Sequence, residues 1–112
     1  MSNSIQRILH LTLTKKWFEM IASGEKLEEY RELKPYWVKR LTNELGCVKF
    51  DIIRFKNGYA KNAPSMDVEF VETTTGYGKK EWGGEDAVVY KIKLGKILNI
   101  KNYELNGQKL QS

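Results

Sequence analysis

Short runs of alternating apolar and polar residues, broken by two segments with helical spacing, extend along most of the chain. Leu9, Leu11 and Leu13 fall on one side of a two-residue repeat, and Ile8, His10 and Thr12 on the other, which predicts a first strand with a leucine face. Trp17, Phe18 and Ile21 then share one side of a helix over 15–23, which Thr14 can cap and Gly24 can stop. Lys26 to Leu33 alternates again, with Leu27, Glu29, Arg31 and Leu33 on one face and Glu28, Tyr30 and Glu32 on the other. Pro35 opens a second helix whose apolar stripe is Trp37, Val38, Leu41 and Leu45, closed by Gly46.

From Lys49 onward the period becomes two. The run Phe50 to Phe55 is apolar on both faces, as a central strand requires, and Asn57-Gly58 is a turn signal followed by a loop that contains Pro64. Met66, Val68 and Phe70 alternate with Asp67, Glu69 and Val71 in a further strand. The glycine-bearing segment from Thr73 to the Gly83-Gly84 turn reads as a flap with glycine pivots. Val88, Tyr90, Ile92 and Leu94 form another strand, which Gly95 interrupts before Ile97 to Ile100. About six short strands and two helices predict an α+β fold, a small mixed β-barrel with two flanking helices, rather than an open doubly wound sheet. One domain over 1–112 is expected, with 1–7 and 106–112 as polar termini.

Charge adds a direction to this picture. The chain has 19 Lys and Arg against 14 Asp and Glu, a net charge of +5. Residues 1–40 and 76–112 each carry +3 and residues 41–75 carry −1, so the excess sits at the two ends. If the ends pair, a basic surface forms near the first helix and second strand, where it would attract phosphates in a salt-dependent way; otherwise the lysines serve solubility. Charged residues interrupt every apolar run well before the ~18 residues of a membrane span, so no membrane association is expected. The segment Met1 to Arg7 lacks the basic start and apolar core of a secretory signal, which makes a cytoplasmic location the expectation. A single cysteine and a single histidine cannot make an internal disulfide or a zinc site, and no metal or cofactor is expected. His10 reads as a structural or surface histidine, and Cys47 as a small packed residue.

The chemistry concentrates in Ser23 to Arg31, where Gly24, Lys26, Glu29 and Arg31 stand in the pattern G-x-K-x-x-E-x-R. Gly24 lets the chain leave the helix through a left-handed residue, so that Lys26 emerges at the start of a strand. Glu29 and Arg31, bracketed by Leu27 and Leu33, should be partly buried and therefore paired. Lys26 is out of register with them and reaches Glu29 only if the strand bends near its start. The three groups then make either a structural ion network or a cleft that offers a cation, an acid and a planar guanidinium to a phosphate, a carboxylate or a nucleobase edge. Desolvation and Arg31 pull the Lys26 pKa down while Glu29 holds it up, and the sequence leaves the outcome open. Tyr59 and Trp82 lie in loops, where a ring either stacks on a base or packs locally. Arg54 and Lys56, with Asn57 beside them, approach from an adjacent strand, whereas Trp17, Phe18, Tyr36 and Trp37 have the spacing of core residues. Gly76-Tyr77-Gly78 lacks the third glycine and the helix of a dinucleotide fingerprint.

The G-x-K-x-x-E-x-R pattern resembles the signature of the ASCH family, small domains of the PUA-like superfamily. The similarity extends through Leu9 to Leu13, Trp17 to Gly24, Tyr30 to Trp37, Ile53 to Tyr59, Met66 to Phe70, Glu81 to Gly83 and Leu94 to Ile97, covering roughly residues 8–100. It implies a PUA-like barrel that binds RNA or a nucleotide or nucleoside in a cleft lined by the motif residues Lys26, Glu29 and Arg31; Arg54, Lys56, Asn57, Tyr59 and Trp82, singled out above from their positions, are the further candidate ligand-binding residues. One branch of the family hydrolyses N4-acetylcytidine with the motif lysine, a threonine and a later glutamate, which would make Lys26 and Glu29 catalytic. Glu29 stands here where that branch has its threonine, and Glu81 lies near the later acid. RNA cleavage is a further activity that the resemblance implies.

Overall fold

Leucine at every second position of strand β1 (Ile8–Leu13) gives the chain its first buried face, with His10 exposed on the other side. The computed structural model describes residues 5–105 and 108–110, so the expected polar termini lie largely outside the described residues. Helix α1 (Lys15–Ala22) sends Phe18 and Ile21 into the core. Thr14 has the extended backbone of an N-cap, but its side chain makes no capping hydrogen bond. Gly24 turns the chain at φ +84°, and the Lys26 amide then donates to the Met20 carbonyl at 2.9 Å. The chain continues through β2 (Glu28–Glu32), α2 (Pro35–Leu41), a hairpin of β3 (Thr42–Asn43) and β4 (Gly46–Cys47), and β5 (Ile52–Asn57). It ends with β6 (Ser65–Tyr77), a 3-10 turn at Lys80–Trp82, β7 (Val88–Lys101) and a ribbon of β8 (Tyr103–Leu105) and β9 (Gln108–Leu110).

Five strands make one mixed sheet in the order β1-β5-β6-β7-β2, with β1 and β5 parallel and the other neighbours antiparallel. Register places Leu9, Ile53 and Val68 in one row and Leu11, Phe55 and Met66 in the next, all buried against Phe18, Ile21 and Leu41. Each such side chain contributes about 1.5–3 kcal/mol by leaving water. Farther along, Ile92 lies between Glu29 and Thr73, and Tyr90 between Arg31 and Thr75. Because Ile92 and Tyr90 are buried, Glu29 and Arg31 are carried on the inner face at the β2 edge.

The sheet curls. β1 and β2 are its two edges, yet the Arg31 Nη2 donates to the Thr12 carbonyl at 3.2 Å, spanning the gap between them. Register shifts between Asp67 and Glu72 supply the bend in the long β6–β7 ribbon, because an extra residue on one strand increases local twist. The two halves of this ribbon therefore serve different neighbours, β5 at one end and β2 at the other. An α+β fold with two helices and a barrel-like sheet is what the alternation pattern predicts.

Several expected boundaries differ. Gly95 does not interrupt its strand: β7 runs continuously through it, and a Cβ there would lie 3.0 Å from the Glu69 Cβ, so the glycine answers a close approach of strands. Thr73 to Tyr77 belongs to β6 and is not part of a flap. Helix α2 ends at Leu41, since the Thr42 hydroxyl donates to the Val38 carbonyl at 2.6 Å and the Asn43 side chain accepts from the Leu45 amide at 2.9 Å, local bonds that compete with another helical turn. Leu45 is consequently 96% exposed, and Cys47, expected to be packed, is exposed on the same hairpin. Leu27 and Leu33 flank β2 outside the sheet and are also exposed. Among the described residues no helix is long and apolar enough to cross a membrane.

Candidate functional site

Lys26 reaches its neighbours because it precedes β2 in irregular backbone, so the strict alternation that would point it away does not apply. Its Nζ lies 2.9 Å from Glu29 Oε1 and donates to the Trp82 carbonyl. The other carboxylate oxygen of Glu29 accepts from the Arg31 guanidinium, which also donates to the Tyr30 carbonyl at 2.7 Å. Lys26 and Glu29 are 3% and 4% exposed, so one carboxylate sits between two cations with little water to screen it. Removing one partner from such a buried network leaves uncompensated charge and costs about 3–5 kcal/mol.

This network is not closed off. Lys26, Glu29 and Arg31 all line a cavity of about 480 Å³, within the roughly 300–1,000 Å³ of small-molecule sites. It occupies the gap between the sheet edges, with His10 and Thr12 contributed by β1, Trp17 by α1, Tyr36 and Trp37 by α2, and Trp82 and Gly83 by the turn after β6. All three tryptophans of the chain line this cavity. Tyr59, 89% exposed in the β5–β6 loop, stands at its rim.

Nearly every large ring around the cavity has a cation against it. Lys26 Nζ lies 4.2 Å from the Trp17 ring centroid, and Lys16 Nζ lies 4.6 Å from it. The Arg31 guanidinium is 5.1 Å from Trp37, Arg40 is 3.5 Å from Tyr36, and Lys79 is 4.4 Å from Trp82. Each contact contributes about 0.5–2 kcal/mol according to its exposure, and together they keep the wall electropositive. Burial is the largest influence on Lys26 and holds its ammonium below the ordinary lysine value of 10.5; Glu29 opposes this, while Arg31 and Lys16 add to it.

The turn that closes the cavity is fixed by contacts with β2. The Tyr30 hydroxyl donates to Glu28 Oε1 at 2.8 Å and accepts from the Lys79 amide at 2.9 Å. Burial, with the Glu28 carboxylate, pushes the Tyr30 pKa up to about 12. A Cβ at Gly78 would lie 2.6 Å from the Tyr30 ring, and one at Gly84 would lie 2.3 Å from the Gly78 carbonyl carbon. Gly83 adopts φ +97° beneath Trp17. The glycines of this segment are thus demanded by close approach and by one left-handed turn, not by a need for pivots.

Of the residues singled out from the sequence, Lys26, Glu29, Arg31, Tyr59 and Trp82 meet at the cavity, and Arg54, Lys56 and Asn57 do not line it. Arg54 is held by Asp67 through two hydrogen bonds at 2.8 and 3.0 Å, on the side of β5 opposite buried Ile53 and Phe55. Those bonds are also the main cause of the lowered Asp67 pKa. Lys56 is exposed, and the Asn57 amide donates to the Pro64 carbonyl. Glu81 is exposed and lies off the cavity wall. Trp17, Tyr36 and Trp37, expected in the core, line the cavity, whereas Phe18 is core as expected. His10 and Thr12 also join the wall; their place opposite the leucine face was visible, but their proximity to β2 depends on the curl.

Comparisons with protein-family models, curated proteins and solved structures find nothing that matches this chain.

Proposed function

We propose that the chain binds RNA or a nucleotide- or nucleoside-sized ligand in the cavity between its sheet edges, as the ASCH resemblance implies. The observation that carries this reading is the convergence of an ammonium, a carboxylate and a guanidinium on one solvent-reachable hollow walled by tryptophan and tyrosine. A planar heterocycle can stack on such rings, at about 1–3 kcal/mol per base. Glu29 and Arg31 present acceptor and donor atoms suited to a base edge, and the surrounding cations suit a phosphate. The same cations already face the rings, which disfavours a cationic guest and sets this cavity apart from an aromatic cage for quaternary amines.

Because every tryptophan lines the cavity, quenching of intrinsic fluorescence by cytidine 5′-monophosphate or a short single-stranded RNA tests the reading directly. Lys26→Ala is expected to weaken binding about 10- to 100-fold, the equivalent of one charge-assisted hydrogen bond. Unchanged quenching by saturating ligand, or equal affinity in the variant, would refute the site.

Burial of Lys26 supports a second reading, hydrolysis of an N4-acylated cytidine. A lysine held below its ordinary pKa beside a carboxylate is placed to exchange a proton with it. Glu29 in place of the threonine of the hydrolytic branch would have to do its work through a water molecule. Release of acetate from N4-acetylcytidine, lost in Lys26→Ala, is the result that separates hydrolysis from binding alone.

A further inference from the structure

We infer that Lys26 is a carbonyl-capturing amine, which forms a reversible imine with an aldehyde carried by a nucleoside-sized ligand in this cavity. The inference deepens the proposed binding reading and rests on it.

Three features of the site carry it. First, the Lys26 amine is 3% exposed yet lines a 480 Å³ hollow, so a guest in the cavity meets an amine already largely stripped of water. Second, Glu29 Oε1 is 2.9 Å from Nζ, within reach to receive a proton from the ammonium and later return it. Third, Arg31, a second and permanent cation, binds the same carboxylate. Desolvation together with a neighbouring cation is the general means by which a protein makes lysine nucleophilic, and both lower the Lys26 pKa here. The Trp82 carbonyl, which accepts from Nζ, helps hold the amine in place at the wall.

The step balances without a redox partner. The Lys26 ammonium passes a proton to Glu29, and the freed nitrogen lone pair forms a C–N bond to the aldehyde carbon; the nitrogen then gives up a second proton to the former carbonyl oxygen, which leaves a neutral carbinolamine. Protonation of the resulting hydroxyl by Glu29 lets the C–O bond break and water leave. An iminium remains, carrying the positive charge that the ammonium held. Ammonium plus aldehyde gives iminium plus water, with no net proton change. Arg31 offsets the charge of Glu29 throughout and cannot itself lose a proton.

Two sources present such an aldehyde to a cavity of this kind, a formyl group on the base or the open-chain sugar of an abasic nucleotide. Stacking rings beside the amine favour the formyl base, whose ring they can hold.

The test incubates the protein with 5-formylcytidine, with cytidine as a control that lacks the aldehyde, and with an abasic single-stranded oligonucleotide, followed by sodium borohydride and peptide mass mapping. The expected result is one reduced adduct, of ligand mass less water plus two hydrogens, on Lys26 and on none of the fourteen other lysines. It should form with 5-formylcytidine, fall when excess cytidine competes, and require borohydride. Mapping on the wild-type chain makes the result independent of whether a Lys26 variant folds. Labelling spread over surface lysines with Lys26 unmodified would overturn the inference. So would the absence of an adduct where cytidine quenches tryptophan fluorescence, a result that leaves binding intact. Absence of both adduct and quenching would overturn both readings. Labelling by the abasic oligonucleotide alone would overturn the assignment of the aldehyde to the base.

Discussion

At the scale of single residues, the site is governed by the cost of burying charge. Glu29 compensates two cations, so the network keeps an excess positive charge beside the cavity, and burial is the largest single influence on Lys26. The consequence for stability has a definite sign. A lysine whose folded pKa lies below 10.5 binds fewer protons folded than unfolded, so its penalty is full at low pH and fades as pH rises toward 10.5. Tyr30 acts oppositely: its folded pKa of about 12, against an ordinary value of 10.0, means that stability present below pH 10 is lost as pH rises through 12. Urea denaturation from pH 7 to 12 should therefore show wild type gaining on Lys26→Met up to pH 10.5. Above pH 10 it should lose ground to Tyr30→Phe. A parallel course for wild type and Lys26→Met would mean that Lys26 is not desolvated. The Glu29–Arg31 pairing was legible from the motif, because buried groups of opposite charge must pair; that Lys26 joins them, and the direction of its shift, were not, because they depend on the backbone before β2 and on the depth of burial.

At the scale of elements, the strands were the most legible. Alternation in 8–13 and 90–94 reports directly which side faces the core, and Leu9, Leu11, Leu13, Tyr90, Ile92 and Leu94 are all buried, whereas Val88, expected on the same face, is exposed at the start of its strand. Helix α2 was less so: its apolar spacing continues to Leu45, but the side-chain bonds of Thr42 and Asn43 end it four residues earlier. Spacing also could not tell core from cavity. Trp17 adjoins Phe18 on the same side of α1, yet one lines the hollow and the other is fully buried. Glycine was the most ambiguous signal, since pivot and close packing look alike in one dimension. The turn at 78–84 distinguishes them, and Gly84→Ala should force its Cβ into the backbone of Gly78. We expect a loss of about 1–3 kcal/mol of stability together with weaker ligand quenching, as Trp82 and Gly83 shift from the wall. Equal stability and equal quenching would show that the turn is not fixed by this contact.

At the scale of the whole molecule, the cavity exists because a five-stranded sheet curls until its edges nearly meet, with Arg31 spanning the gap to Thr12. The curl comes from register shifts deep in the β6–β7 ribbon, and sequence alternation carries little trace of such bulges. That is why the charged motif was legible and its partners from β1 and α2 were not. The basic ends of the chain meet here in part: Lys16 and Lys79, from opposite ends, lie beside Trp17 and Trp82. If they serve phosphates, each substitution by Ala should weaken RNA binding without regard to sequence and reduce the salt slope by about 1. An unchanged slope would leave these lysines as solubilising groups. The most direct test of the central claim is chemical-shift mapping of the 15N-labelled chain during titration with cytidine 5′-monophosphate. Saturable shifts are expected, concentrated at Lys26 to Arg31, Trp82 to Gly83 and the three tryptophan indoles. Shifts confined to the outer face around Arg54 and Asp67, or no saturable shifts at all, would contradict it.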